Sequence, residues 1–160
     1  MTLIRSLARP MLSSMFVAGG IDEIRNAAAL APAAKPVTQR VAPLVESRIP
    51  SAVPLPSDTA GWVRADGALK VAAGLALATG RFPRVASLVL IGSLVPTTLT
   101  GHAFWKENDD QAKVLQRQQF FKNVSMAGGL LIAAVDVEPS ARERMEIAAR
   151  RVKRRVQRDS

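Results

Sequence analysis

From Val85 to Trp105 the chain runs 21 residues without a charged side chain. A helix needs ~20 mostly apolar residues to cross the hydrocarbon core of a bilayer. A small water-soluble fold would have to bury such a helix on every side, because it has no polar face to turn outward. The run ends at His102-Ala103-Phe104-Trp105, and the charged stretch Lys106 to Asp110 follows at once. Trp is enriched where membrane helices meet the headgroups, since its ring is apolar and its N–H polar. The stretch therefore predicts a span that leaves the bilayer at Trp105.

Three other apolar blocks accompany it, near residues 7–24, 62–80 and 120–135. They are shorter between charges: 12 residues from Arg9 to Asp22, 10 from Lys70 to Arg81 and 13 from Lys122 to Asp136. On length alone they suit buried helices of a bundle. They suit spans as well if the flanking charges snorkel to the interface or face the bundle interior. Glycine favours the second reading, because it weakens a soluble helix but lets membrane helices approach closely. Gly19, Gly20, Gly67, Gly74, Gly128 and Gly129 all lie inside these blocks, and Ala68, Ala72 and Ala76 recur one turn apart. Pro96 sits inside the third block beside Thr97 and Thr98, whose hydroxyls can satisfy carbonyls that a proline frees. The N-terminus MTLIRSLARPMLSSMFVAGG has the basic-then-apolar order of a signal peptide. No small-x-small cleavage site leads into a secreted domain, so the segment is read as a retained first span.

These blocks predict an all-α, four-helix transmembrane bundle over residues 1–137, with helices near 6–24, 61–80, 84–105 and 118–136. Residues 26–59 carry six prolines, from Pro32 to Pro56. They read as an extracytoplasmic linker holding one short helical stripe, Val37, Val41, Leu44 and Val45. Gly80 fits a helix C-cap and Pro83 the first turn of the next helix. Residues 106–119 read as polar and solvated. Residues 138–160 form a basic cytoplasmic tail with eight Lys and Arg. A sparse apolar stripe through Met145, Ala149, Val152 and Val156 makes it an amphipathic helix on an anionic leaflet. Arg150, Arg151, Lys153, Arg154 and Arg155 would contact lipid headgroups.

Charge sets orientation. With four spans, both termini share a face with the turn 80–84, and that face carries 12 of the 22 basic residues. The margin is thin, but the short turn and the juxtamembrane tail place both termini in the cytoplasm. The net charge of +9 also invites a nucleic-acid reading. No stacking aromatics are interleaved with the basic cluster, so nucleic acid is not an expected partner. The chain has no Cys and one His. Thiol chemistry, cysteine-ligated metal and iron–sulfur clusters are excluded within this chain.

Up-down topology brings several polar groups to the other face: Asp22 from the first helix, Arg64, Asp66 and Lys70 from the second, His102 and Trp105 from the third, and Lys122 and Asn123 from the fourth. Ionisable groups at membrane depth are costly unless paired, so they mark a candidate ligand- or partner-binding site. Asp66 and Lys70 are one turn apart and can pair within their own helix. The group could equally be a structural ion-pair network, a quinone-headgroup site or a contact for a partner. It contains no nucleophile–base set, and neither catalytic residues nor metal ligands are expected.

The segments "ARPMLSSMFVAGGIDEIRN", "GRFPR", "PTTLTGHAFW" and "KNVSMAGGLL" resemble the actinobacterial branch of the DoxX family of integral membrane proteins. The resemblance covers about residues 4–136 and implies a four-helix plasma-membrane protein. Its recurrent polar positions correspond here to Arg9, Asp22, Gly67, Arg84, His102, Trp105, Lys122 and Asn123. The family takes its name from a subunit of a thiosulfate:quinone oxidoreductase, and its members are described as partners in redox or thiol-stress systems. The resemblance thus implies a subunit or scaffold without catalysis of its own, holding redox or thiol-metabolising enzymes at the membrane without a cofactor. The alternative is a quinone-binding subunit in which His102, Asp66 and Lys122 donate hydrogen bonds or relay protons, with electrons supplied by another protein. A homo-oligomer stays open under either reading.

Overall fold

A computed structural model of the chain describes residues 3–50 and 54–136. Among the described residues every regular element is helical: α1 (Leu3–Glu46), α2 (Thr59–Ala78), α3 (Pro83–Gly101), a 3-10 turn (Phe104–Lys106) and α4 (Asp110–Val135). The expected basic tail helix, with Arg150, Arg151, Lys153, Arg154 and Arg155, lies outside the described residues.

The first element departs most from expectation. α1 continues past the anticipated boundary and is broken only at Asn26, whose backbone (φ −111°, ψ 21°) is not helical. Asn side chains compete with the helix for local hydrogen bonds, and here Asn26 Nδ2 donates to Asp22 Oδ1 at 2.7 Å. The arm 27–46 then replaces most of the expected linker with helix. A proline inside a helix deprives the carbonyl four residues earlier of its donor. Pro32, Pro36 and Pro43 are exposed, as are Ala28, Pro32 and Gln39, the residues whose carbonyls are affected. The defects fall on the outer side of the arm, and the Ala-rich sequence between them carries the helix across.

The other helices begin and end on local signals. Asp58 caps α2 by accepting from the Gly61 amide at 3.0 Å. At its far end the amide of Arg81 donates to Ala76 O at 2.8 Å and that of Gly80 to Leu77 O at 3.0 Å. Gly80, at φ 71°, supplies the left-handed residue that this closing motif requires. The adjoining Phe82 is also left-handed, at φ 51°, and Pro83 opens α3. α3 ends at Gly101 rather than running on to Trp105. Within it Thr97 Oγ1 donates to the carbonyls of Ser93 and Leu94, and Thr98 Oγ1 to that of Leu94. These bonds go to Ser93 and Leu94 rather than to the Gly92 carbonyl that Pro96 frees, so the hydroxyls do not take the part expected of them. α4 starts at Asp110 rather than near 118, because Asp109 caps it by accepting from the Ala112 amide at 2.7 Å. Much of the stretch expected to be solvated loop is thus the first turns of a helix.

The helices run up and down, and a small apolar core joins all four: Phe16 of α1, Ala73 and Leu77 of α2, Ala86, Leu90 and Leu94 of α3, and Leu130 and Ala133 of α4. The tightest seam lies between α1 and α2. Its buried positions step alternately by four and three, at Arg9, Ser13, Phe16 and Gly20 on one helix and Val63, Gly67, Lys70, Gly74 and Leu77 on the other. Where the glycines meet, the backbones touch. A Cβ on Gly20 would lie 2.6 Å from Gly67 O, and one on Gly67 would lie 2.6 Å from Gly20 O. Gly74 plays the same part against Val17, whereas a Cβ on Gly19 or Gly128 would meet nothing within 4 Å. Ala68 and Ala72 face outward. Only part of the small-residue pattern therefore serves helix packing.

The burial pattern also departs from that of a water-soluble bundle, because polar side chains share the interior and many large apolar ones lie outside. Arg9, Ser13, Lys70, Ser87, Thr98 and Asn123 are buried, while Leu7, Met11, Leu88, Leu99, Phe121 and Ile132 are among many large apolar side chains left exposed. Among the described residues one stretch, Pro83–Lys106, is long and apolar enough to cross a membrane, with a mean hydropathy of 1.4, and its most apolar part is mostly unburied.

Candidate functional site

The close approach of Gly20 and Gly67 brings polar side chains from three helices together beside it. Glu23 follows Gly20 by one turn on α1, and Lys70 follows Gly67 by one turn on α2. With the backbones in contact, the two side chains meet across the seam. Lys70 Nζ donates to Glu23 Oε1 at 2.5 Å. The same ammonium lies 2.8 Å from Asp66 Oδ2, one turn away on its own helix. From α3, Ser93 Oγ donates to that Asp66 oxygen at 3.0 Å. Lys70 is buried and its side chain keeps 10% of its exposure, against 22% for Glu23 and 32% for Asp66. Glu23 Oε2 is buried and has no hydrogen-bond partner among the described residues. The group thus sets two carboxyls against one ammonium, which leaves it one negative charge in excess when both carboxyls are ionised.

A second polar contact joins α3 to α4. Asn123 Nδ2 donates to Thr98 Oγ1 at 2.9 Å, and both residues are buried. Nearer the helix ends, His102 Nδ1 lies 2.7 Å from Gln116 Oε1. The rings of Phe104, Trp105, Phe120 and Phe121 stack edge to face or tilted around this end, with centroids 5.2–6.5 Å apart. At the opposite end of the bundle, Arg5 Nε donates to Asp136 Oδ2 at 2.8 Å and Arg9 donates to the Asp136 carbonyl at 3.0 Å. Hydrogen bonding from Arg5 holds the Asp136 carboxyl below the ordinary carboxylate range.

The family model described as DoxX matches residues 4–103. The chain belongs to the DoxX family. No curated protein and no solved structure matches it. DoxX proteins are membrane-associated, and the apolar Pro83–Lys106 stretch agrees with that. The DoxX match takes in α1, α2, α3 and His102. The Glu23–Lys70–Asp66–Ser93 group therefore lies wholly inside it, whereas Gln116, Lys122 and Asn123 belong to α4 beyond it.

The residues singled out from this DoxX sequence have different fates. Asp66 and Lys70 meet, and the pairing within one helix is present. Asp22 is exposed and accepts from Asn26; its neighbour Glu23 occupies the seam instead. Arg64 is exposed, and so is Lys122, whose Nζ donates to Gln119. Trp105 is 52% exposed within the aromatic cluster. Asn123 and His102 are engaged by Thr98 and Gln116, apart from the charged group. Glu23 and Ser93 are the members that sequence reading missed. Glu23 continues the four-and-three stepping of Arg9, Ser13, Phe16 and Gly20, and Ala27 follows it in register, but that stepping shows only once the buried face of α1 is known. Ser93 carries no such mark.

Proposed function

We propose that this DoxX protein is a multi-pass protein of the plasma membrane, with four spans and both termini in the cytoplasm. It acts as a non-catalytic subunit or scaffold that holds redox or thiol-stress enzymes at the membrane. The observation that carries the membrane part is the burial pattern: charged and polar side chains share the seams with a small apolar core, while many large apolar ones lie outside. In water this arrangement would expose the apolar area and desolvate the charges, both unfavourable. In lipid the apolar area faces hydrocarbon, and the buried charges are held by pairing with one another. The scaffold part rests on family resemblance together with the chemistry of the residues. Among the described residues most of the polar groups partner one another, and no nucleophile stands beside a base.

Gentle crosslinking in native membranes, followed by identification of what co-purifies, tests the role. The expected result is a reproducible set of redox or thiol enzymes. Purification from mild detergent that never yields a recurring partner would overturn it. A second reading, a quinone-binding subunit, is favoured by the four aromatic rings gathered beside His102. Under that reading His102→Ala lowers quinone-linked turnover in membranes, and unchanged turnover removes it.

A further inference from the structure

The group at the α1–α2 seam has more carboxyls than cations. Lys70 faces Glu23 across the seam and Asp66 on its own helix. The other charged group acting on Glu23 is its neighbour Asp22, an added negative charge. α3 contributes the neutral Ser93. The ionisable residues of α3 and α4 near this end are engaged elsewhere: His102 with Gln116, and Lys122 with Gln119. On α1 and α2 themselves Arg25 and Arg64 are exposed, and among the described residues Lys70 alone is within ion-pair distance of either carboxyl. The two carboxyls are not equivalent. Asp66 Oδ2 is held by two donors, Lys70 and Ser93. Glu23 receives one donor on Oε1, and its Oε2 is buried without a partner.

We infer that Glu23 is a proton-binding site, carrying a proton on Oε2 at neutral pH while Asp66 is the carboxylate that balances Lys70. This inference rests on the membrane reading above, because lipid makes an uncompensated charge at that depth costly. A proton removes the excess charge and leaves Oε1 free to accept from Lys70. It also ties the protonation state to the close backbone contact of α1 with α2, since Glu23 and Lys70 each lie one turn from the touching glycines. Loss of the proton puts a bare carboxylate into that seam, so the α1–α2 packing becomes sensitive to proton supply.

Dicyclohexylcarbodiimide, which partitions into lipid, tests this. Its central carbon bonds to a protonated carboxyl oxygen while the proton moves to a reagent nitrogen. The adduct then shifts from oxygen to nitrogen, and the whole reagent mass is retained. Membranes holding the full chain are treated at neutral pH, washed with alkaline carbonate and mapped by mass spectrometry. The expected result is adduct on Glu23 in the carbonate-resistant protein, none at this position in Glu23→Gln, and labelling that falls as pH rises. Asp66→Asn is the sharper variant. With that carboxylate gone, Glu23 becomes the sole counter-charge of Lys70, so it ionises and its labelling drops several-fold. Membrane-retained protein with Glu23 unlabelled, or labelled equally in Asp66→Asn, overturns the proton site and leaves the membrane reading standing. Release of the chain by carbonate overturns the membrane reading itself.

Discussion

Single residues set the tolerance of the α1–α2 seam. Gly67 has no room for a side chain, because a Cβ there would press on Gly20 O at 2.6 Å. Gly67→Leu is expected to force the helices apart and cost roughly 1–3 kcal/mol, as overpacking of a filled interior does. Thermal unfolding in detergent measures it, with Gly128→Leu as the control that should change little, since nothing lies within 4 Å of that position. Lys70 presents the opposite problem. Lys70→Met strands the Asp66 carboxylate with only Ser93 to help; because Asp66 keeps 32% of its exposure, the loss should fall below the roughly 3–5 kcal/mol of a fully buried pair broken from one side. The double variant Lys70→Met/Asp66→Asn should be milder than Lys70→Met alone, because no charge is left unpaired. Equal or additive losses in the same unfolding assay would show that the pair is not coupled. Glu23 was legible only as half of Asp22-Glu23. Which of two adjacent carboxyls turns inward depends on helix phase, and Asn26 captures the other one.

At the scale of elements, the helix ends were the least readable part of the sequence and the capping residues explain why. α4 begins where Asp109 can cap it, and α3 stops at Gly101, before the aromatic cluster. Length and hydropathy register neither event. α1 shows the converse error: prolines that read as a linker are tolerated because all three of its second arm lie on the exposed side. The far end of α4 offers a test outside the spanning segment. Asp136 follows the last helical residue, and Arg5 holds its carboxyl below the usual range. A depressed carboxyl contributes stability that is complete above its unfolded value of 3.8 and is lost as pH falls through the lowered folded one. Asp136→Asn should therefore flatten the acid limb of a plot of thermal midpoint against pH and leave its shape at neutral and alkaline pH unchanged. An acid limb identical to that of the parent protein would remove the Arg5 contact from the account.

At the scale of the whole molecule, the proposal makes a topological commitment. The chain has no Cys, so single cysteines can be introduced without background. Phe82→Cys, in the turn between α2 and α3, should react with a membrane-impermeant maleimide only after permeabilisation. Asn108→Cys, between the 3-10 turn and α4, should react in intact cells. The reverse pattern would invert the orientation, and both sites reacting in intact cells would exclude the up-down arrangement in a membrane. The sequence by itself determined that the chain is helical and that one helix suits lipid. Those conclusions need only composition and spacing, which local physics reads directly. Tertiary structure decided the rest: that Gly20 rather than Gly19 meets α2, that Glu23 rather than Asp22 meets Lys70, and that Ser93 completes the group. Each of these choices rests on the rotation of one helix against another. That rotation is fixed by a backbone contact between residues 47 positions apart, which no local pattern encodes.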